Sequence, residues 1–314
     1  MGNSSYGDLV RDILSNYKLN ELRIPKPGRY NGKLYNHILP EEESKKNFFD
    51  CVREKNEGIK WQGDDHLNSS QVLCFNLFYP HVGNLHVFEP YFREKACVDG
   101  FQEFGKLAKF EFTNGSLLHE ETPTNVDLAI EWKDNRSEKN LFLFEFKYTE
   151  NGFGTCSSGK NAKCPNLEAI LNNPLQCYLT RKGVEYWKYI EMNDPIKIEK
   201  LLGGDECPFK GGLYQLMRNQ LLANRIEETS DFGKVIFGVI YPKQNRPLDK
   251  QLNEIRIGNN RTVKWEELLV TPSRFIRIPL EDLFASVINQ HGLSTSWKEF
   301  MIKKHGHLLR NIYD

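Results

Sequence analysis

The sequence predicts an α/β protein with a central mixed β-sheet flanked by helices. Two observations carry that expectation. The first is a change of period: helical spacing up to Pro80 gives way, between 110 and 148, to alternating and continuously apolar runs of strand length. The second is the element order (helix, strands, helices, strand, helix), which builds a sheet with crossover helices rather than a bundle or a sandwich.

The elements follow in order. Tyr6 to Leu19 has helical spacing at Leu9, Ile13 and Tyr17, and Pro25-Lys-Pro-Gly28 supplies the loop after it. Glu41 to Cys51 reads as a second, charged helix, so residues 1–60 form a helical N-terminal extension. A third helix begins near Asp65, with Asp64 or Asp65 as its cap, and runs to Pro80. Phe110-Glu-Phe112 followed by Asn114-Gly115 signals a strand and a turn. Val126 to Trp132 is a second strand, Lys133 to Lys139 a charged turn, and Leu141 to Tyr148 a third strand. Residues 150–166 are too rich in Gly, Ser and Cys to be regular. Helices near 167–191 and 213–228 precede the buried strand Lys234 to Tyr241, and Arg274 to Ile278 is a strand before a helix over 280–290. Residues 61–290 therefore form one core with a cysteine-containing insertion at 150–212, and 291–314 a tail helix.

Composition narrows the class. The 314 residues carry 42 basic and 42 acidic side chains, and a mean hydropathy of −0.57 with 39% hydrophobic residues excludes wholesale disorder and a membrane-embedded chain. Zero net charge excludes binding by bulk cationic charge. It leaves room for a charged cleft offset elsewhere. The N-terminal segment lacks a signal-peptide core and Tyr6 breaks the myristoylation pattern. With seven cysteines, an odd number, the expectation is a reducing cytoplasm.

The chemistry concentrates in the third strand. With period two, Phe142, Phe144, Phe146 and Tyr148 share one face, while Leu141, Leu143, Glu145 and Lys147 share the other. A strand apolar on both faces is central and buried, and a carboxylate and an ammonium at its end must pair or bind something. A turn centred on Arg136 sets Asp127 directly opposite Glu145. Opposed carboxylates destabilise a sheet unless a cation lies between them, and two carboxylates completed by water and phosphate suit Mg²⁺ or Mn²⁺. Lys147 would then stabilise charge on the phosphorus or help deprotonate the attacking water. The plainer alternative is a surface hairpin with a Glu145–Lys147 edge ion pair.

Asp127, seventeen intervening residues, then Glu145-Phe146-Lys147 resembles the D…ExK signature of the PD-(D/E)xK nuclease superfamily, the restriction-endonuclease-like fold. The element order over about 60–245 is similar too. His66-Leu-Asn-Ser-Ser-Gln71 and Tyr214-Gln-Leu-Met-Arg-Asn-Gln220 resemble a group of bacterial restriction endonucleases. The resemblance implies a restriction-endonuclease-like core, with Asp127 and Glu145 as metal ligands and Lys147 as the catalytic lysine. The chain departs from the pattern on the first core helix, where no carboxylate lies between His66 and Tyr79. His66 or Gln71 would substitute, or Glu120, upstream of Asp127, would assist.

In helix 213–226, Gln215, Arg218 and Asn219 share one face. By the resemblance they would steady the site, with Arg218 on a phosphate and Gln215 on the site or a base edge. A solvent-facing polar stripe is the alternative. Cys156, Cys164, Cys177 and Cys207 are spaced by 7, 12 and 29 residues with no C-x₂-C knuckle, which leaves structural Zn²⁺, an iron–sulfur cluster or unligated thiols open. His305 and His307 read as solvated, as do Lys303-Lys304. No Walker loop, GxGxxG or GxSxG is present.

The combined expectation is a Mg²⁺-dependent endonuclease acting on double-stranded DNA as a homodimer, since two-fold symmetric subunits match the two strands of a duplex. Its rivals are a RecB-like exonuclease or repair nuclease, and a catalytically silent DNA-binding protein. Positive potential is expected around the cleft.

Overall fold

In a computed structural model covering residues 4–96, 98–114, 117–156, 164–193, 195–203, 206–257 and 261–313, helix α1 (Tyr6–Asn20) precedes a short hairpin of β1 (Gly28–Tyr30) and β2 (Lys33–Tyr35). Helices α2 (Ser70–Phe78) and α3 (Glu89–Glu94) lead into three consecutive strands, β3 (Phe101–Thr113), β4 (Asn125–Asp134) and β5 (Lys139–Phe146). Short helices α4 (Leu167–Asn172), α5 (Tyr178–Arg181) and α6 (Tyr186–Asn193) come before the long α7 (Tyr214–Thr229) and strand β6 (Val235–Tyr241). Helix α8 (Arg246–Asn253), the hairpin β7 (Ile255–Ile257) and β8 (Arg261–Val263), strand β9 (Phe275–Pro279), and helices α9 (Leu280–Ile288) and α10 (Thr295–His305) complete the chain.

The central sheet has the order β3-β4-β5-β6-β9. The first three strands are antiparallel, and β6 and β9 run parallel to β5. This mixed sheet flanked by helices is the expected α/β architecture. The tight turn after Asp134 fixes the β4–β5 register, from Lys133 beside Lys139 to Leu128 beside Phe144. Alternation then sorts the side chains of β5: Phe142, Phe144, Phe146 and Tyr148 enter one apolar layer with α1, α2, α9 and α10, and Leu141 and Leu143 enter the other with α6 and α7. At Gly238 of β6 a Cβ would stand 2.7 Å from the Phe144 ring and 2.9 Å from Ile276, so the centre of the sheet requires glycine.

Several local expectations change. The third helix starts at Ser70 rather than near Asp65, because Ser69 is the residue whose hydroxyl accepts from the Val72 amide. Strand β3 is 13 residues long, and its link to β4 is a connection over 114–124 rather than a tight Asn114-Gly115 turn; Gly115 lies outside the described residues. Glu41–Asn47 is a 3₁₀ helix. Tyr6, Val10 and Leu14 of the N-terminal segment and Trp297, Met301 and Leu308 of the C-terminal segment pack into the same layer as β5. His305 and His307, expected in solvent, are buried: the Tyr148 hydroxyl meets His305 Nδ1 at 3.2 Å and His307 Nε2 at 2.8 Å. Lys304 is buried as well, with Nζ donating to the carbonyl and side-chain oxygens of Asn47 at 2.7 and 2.5 Å. Spacing on a helix cannot show which face meets the core when the neighbours come from 157 to 257 residues away.

Candidate active site

Three carboxylates line up across three strands. Asp127 stands one step beyond the Leu128–Phe144 pair, level with Glu145 of β5. On its other side, Glu111 lies between the pairs Phe110–Leu128 and Phe112–Val126, level with Asp127. Glu111 holds φ at +48°, a left-handed conformation that costs a non-glycine residue about 1–3 kcal/mol. Two side chains hold its carboxylate: Gln71 donates to Oε1 at 2.7 Å and Asn125 to Oε2 at 2.7 Å. The first core helix contributes no acid here, and the first core strand places Glu111 beside Asp127, bonded to Gln71. Sequence reasoning missed Glu111, although an acid set between Phe110 and Phe112 was a visible signal.

Each remaining group has a defined support. Asp127 Oδ2 accepts from the Phe146 amide at 2.6 Å. Glu145 is 6% exposed, and it accepts Lys147 Nζ at 2.8 Å and Gln215 Nε2 at 3.2 Å on Oε1, and Asn219 Nδ2 at 2.9 Å on Oε2. Gln215 and Asn219 lie one turn apart on α7, so both reach the same carboxylate. Glu150, a further residue not foreseen, accepts from Ser70 Oγ and from the Tyr148 amide, both at 2.6 Å.

These groups border one cavity of about 510 Å³, with Asn68 to Gln71 at the start of α2 on one wall and Gln215 and Arg218 of α7 on the other. His66 borders it too, its ring edge-on to Tyr30 at 4.7 Å. The Arg218 guanidinium lies over the Tyr214 ring at 5.4 Å from its centroid, and its buried Nε has no hydrogen-bond partner.

Electrostatics mark the site as short of positive charge. Burial, and then repulsion from Glu145, pushes the Asp127 carboxyl well up. Burial also raises Glu111, reinforced by Glu145 and opposed by the bond from Gln71. For Lys147, burial alone would lower the pKa, yet Glu145, Glu150 and Asp127 outweigh it and the net shift is upward. Burial lowers the His66 pKa, against the pull of Asp65 and Asp64. Four carboxylates (Glu111, Asp127, Glu145, Glu150) face Lys147 and Arg218 across the cavity. The lining therefore carries more acidic than basic side chains.

A profile of the family described as "Restriction Endonuclease associating with ARP" matches residues 11–306. The chain belongs to this family. No curated protein and no solved structure matches it with significance. Restriction endonucleases are nucleases, so membership agrees with the D…ExK reading, and the five-stranded mixed sheet is consistent with the restriction-endonuclease-like fold. Among the described residues no helix is long and apolar enough to cross a membrane.

In this restriction-endonuclease family member two other candidates lie apart from the cavity. Glu120 does not border it: its carboxylate accepts from the Thr124 amide at 2.7 Å, from the Thr124 hydroxyl and from the Tyr186 hydroxyl. Glu120 instead ties the loop before β4 to Tyr186. Cys156, Cys164, Cys177 and Cys207 converge on a separate small cavity behind α7. As they stand, no group of three or more His, Cys, Asp or Glu side chains among the described residues has the closeness of ligands to a single ion.

Proposed function

We propose that this chain is a divalent-metal-dependent endonuclease that hydrolyses phosphodiester bonds in double-stranded DNA. The observation that carries the reading is the row Glu111–Asp127–Glu145 across β3, β4 and β5, with Lys147 bonded to Glu145. Opposed acids of raised pKa are stabilised by a cation, and an all-oxygen donor set fits Mg²⁺ or Mn²⁺. Asp127 and Glu145 would hold it, with Glu111 as the third acid. When bound, such an ion polarises a phosphoryl oxygen and acidifies water.

The chain's own groups supply the rest. Gln215 and Asn219 keep both oxygens of Glu145 aimed into the cavity. Lys147, bonded to Glu145, would set a positive charge beside the phosphate oxygens. Arg218, over the Tyr214 ring with an unpartnered Nε, is placed to hold an adjacent phosphate. Cutting both strands would use two copies related by a two-fold axis.

The test is incubation of purified protein with supercoiled plasmid and Mg²⁺, beside Glu145→Ala and Lys147→Ala. Discrete linear fragments from wild type, lost in both variants, are expected. Equal cutting by wild type and variants would remove the site assignment. Degradation only from free ends would replace an endonuclease with an exonuclease, and binding without cutting under any divalent metal would leave a silent DNA-binding protein.

A further inference from the structure

Behind α7, four cysteines from separate loops meet at one place. Cys156 follows β5, Cys164 precedes α4, Cys177 directly precedes α5 and Cys207 lies before α7, and all four border a single cavity of about 30 Å³. The other walls are mostly apolar, among them Ile170, Trp187, Phe209 and Met217. By contrast, Cys51 is exposed on the surface and Cys74 is an isolated core residue of α2.

A buried cysteine packs as a small hydrophobe and needs no other cysteine near it. Burial alone therefore does not explain why four of them, spread over the insertion, share one cavity. The surrounding chain is also poor in regular structure, since α4, α5 and α6 are 6, 4 and 8 residues long. A bound ion would cross-link such loops where few backbone ladders do so.

We infer that Cys156, Cys164, Cys177 and Cys207 form a structural tetrathiolate site for Zn²⁺. Four thiolates in a mostly apolar wall are the ligand set of a single tetrahedral Zn²⁺. Two backbone bonds already tie the loops: the Cys156 amide donates to the Lys210 carbonyl at 3.1 Å, and the Lys210 amide to the Cys207 carbonyl at 3.1 Å. The sulfurs do not yet form a shell, so binding draws them inward. Each thiol releases its proton to solvent as its Zn–S bond forms, with no change of oxidation state. Lys210, on the cavity wall, offsets part of the negative charge of four thiolates.

The site would act on α7. Tyr214 and Met217 border the cysteine cavity, while their neighbours Gln215 and Arg218 border the acidic one. An ion behind the helix fixes the turn from which Gln215 and Asn219 support Glu145. This inference is independent of the nuclease reading, because its readout is bound metal.

The test is metal analysis of full-length protein purified under reducing conditions from zinc-supplemented medium. About one zinc per chain and no iron is expected, retained in Cys51→Ser and lost in Cys156→Ser, Cys164→Ser, Cys177→Ser and Cys207→Ser. Because these variants can unfold, the wild type is also stripped with a chelator, kept reduced and titrated with Co²⁺. Intense sulfur-to-cobalt charge transfer with tetrahedral ligand-field bands, abolished by added Zn²⁺, is the expected spectrum. Wild type that carries no zinc and gives no such spectrum overturns the inference, as does iron with acid-labile sulfide.

Discussion

Asn219 Nδ2 donates to Glu145 Oε2 at 2.9 Å from a position with no exposure to solvent. Removing that donor leaves one carboxylate oxygen without its buried partner, at about 1–3 kcal/mol for a charged group. Asn219→Ala is expected to lower kcat for plasmid cleavage by about ten-fold to a hundred-fold with little change in binding of uncleaved DNA. Asn219→Asp, which sets a second carboxylate against Glu145, is expected to lose more. Equal rates for wild type and Asn219→Ala would show that Glu145 keeps its place without α7.

Glu111 is predicted to govern the metal requirement. Glu111→Gln keeps the bond from Gln71 by its amide oxygen but removes the charge. Plasmid cleavage should then need a higher Mg²⁺ concentration for half-activation, by roughly ten-fold, the scale of one lost charged contact. An unchanged metal dependence would take Glu111 out of the site.

Protons and cation compete for the same acids. Since Asp127 and Glu111 have raised values, they take up protons at a higher pH than ordinary carboxyls, and the Mg²⁺ needed for half-activation should rise as pH falls from neutrality into the acid range. A metal requirement flat over that range would contradict the assignment of these two carboxylates.

Lys304 makes stability depend on pH. Burial lowers its pKa from 10.5 to about 7, so between those values the unfolded chain holds a proton that the folded chain lacks, and stability rises with pH. The destabilisation is fully present below about pH 7 and is relieved towards 10.5. Lys304→Met should flatten the rise in Tm measured from pH 7 to pH 9, a window set by that shift. His81 and His307, lowered by burial to about 4, contribute stability that is lost as pH falls from 6.5 towards 4, a separate window. An identical slope in Lys304→Met and wild type between pH 7 and pH 9 would place the proton elsewhere.

Gly238→Ala should destabilise the sheet. The added carbon would meet the Phe144 ring and Ile276 inside three ångströms, and overpacking of this kind costs about 1–3 kcal/mol. Urea denaturation measures it; a midpoint equal to wild type would mean that Phe144 yields freely.

The sequence by itself determined the heart of the site. The short Lys133–Lys139 turn fixes the register of its two strands, so Asp127 opposite Glu145 and the two-faced β5 follow from local geometry. Helical periodicity likewise put Gln215, Arg218 and Asn219 on one face, though not the carboxylate that two of them hold. Tertiary structure alone decided the rest. The connection over 114–124 is too long to set a register, so Glu111 reached Asp127 only through the packing of β3 on β4 and the bond from Gln71 on α2. His305, His307 and Lys304 went into the core because Tyr148 and Asn47, remote in sequence, cover them. Glu120 left the site for Tyr186 for the same kind of reason. Short turns and periodicity act over a few residues, whereas partners across long connections are chosen by which apolar faces must be covered, and that choice belongs to the whole fold.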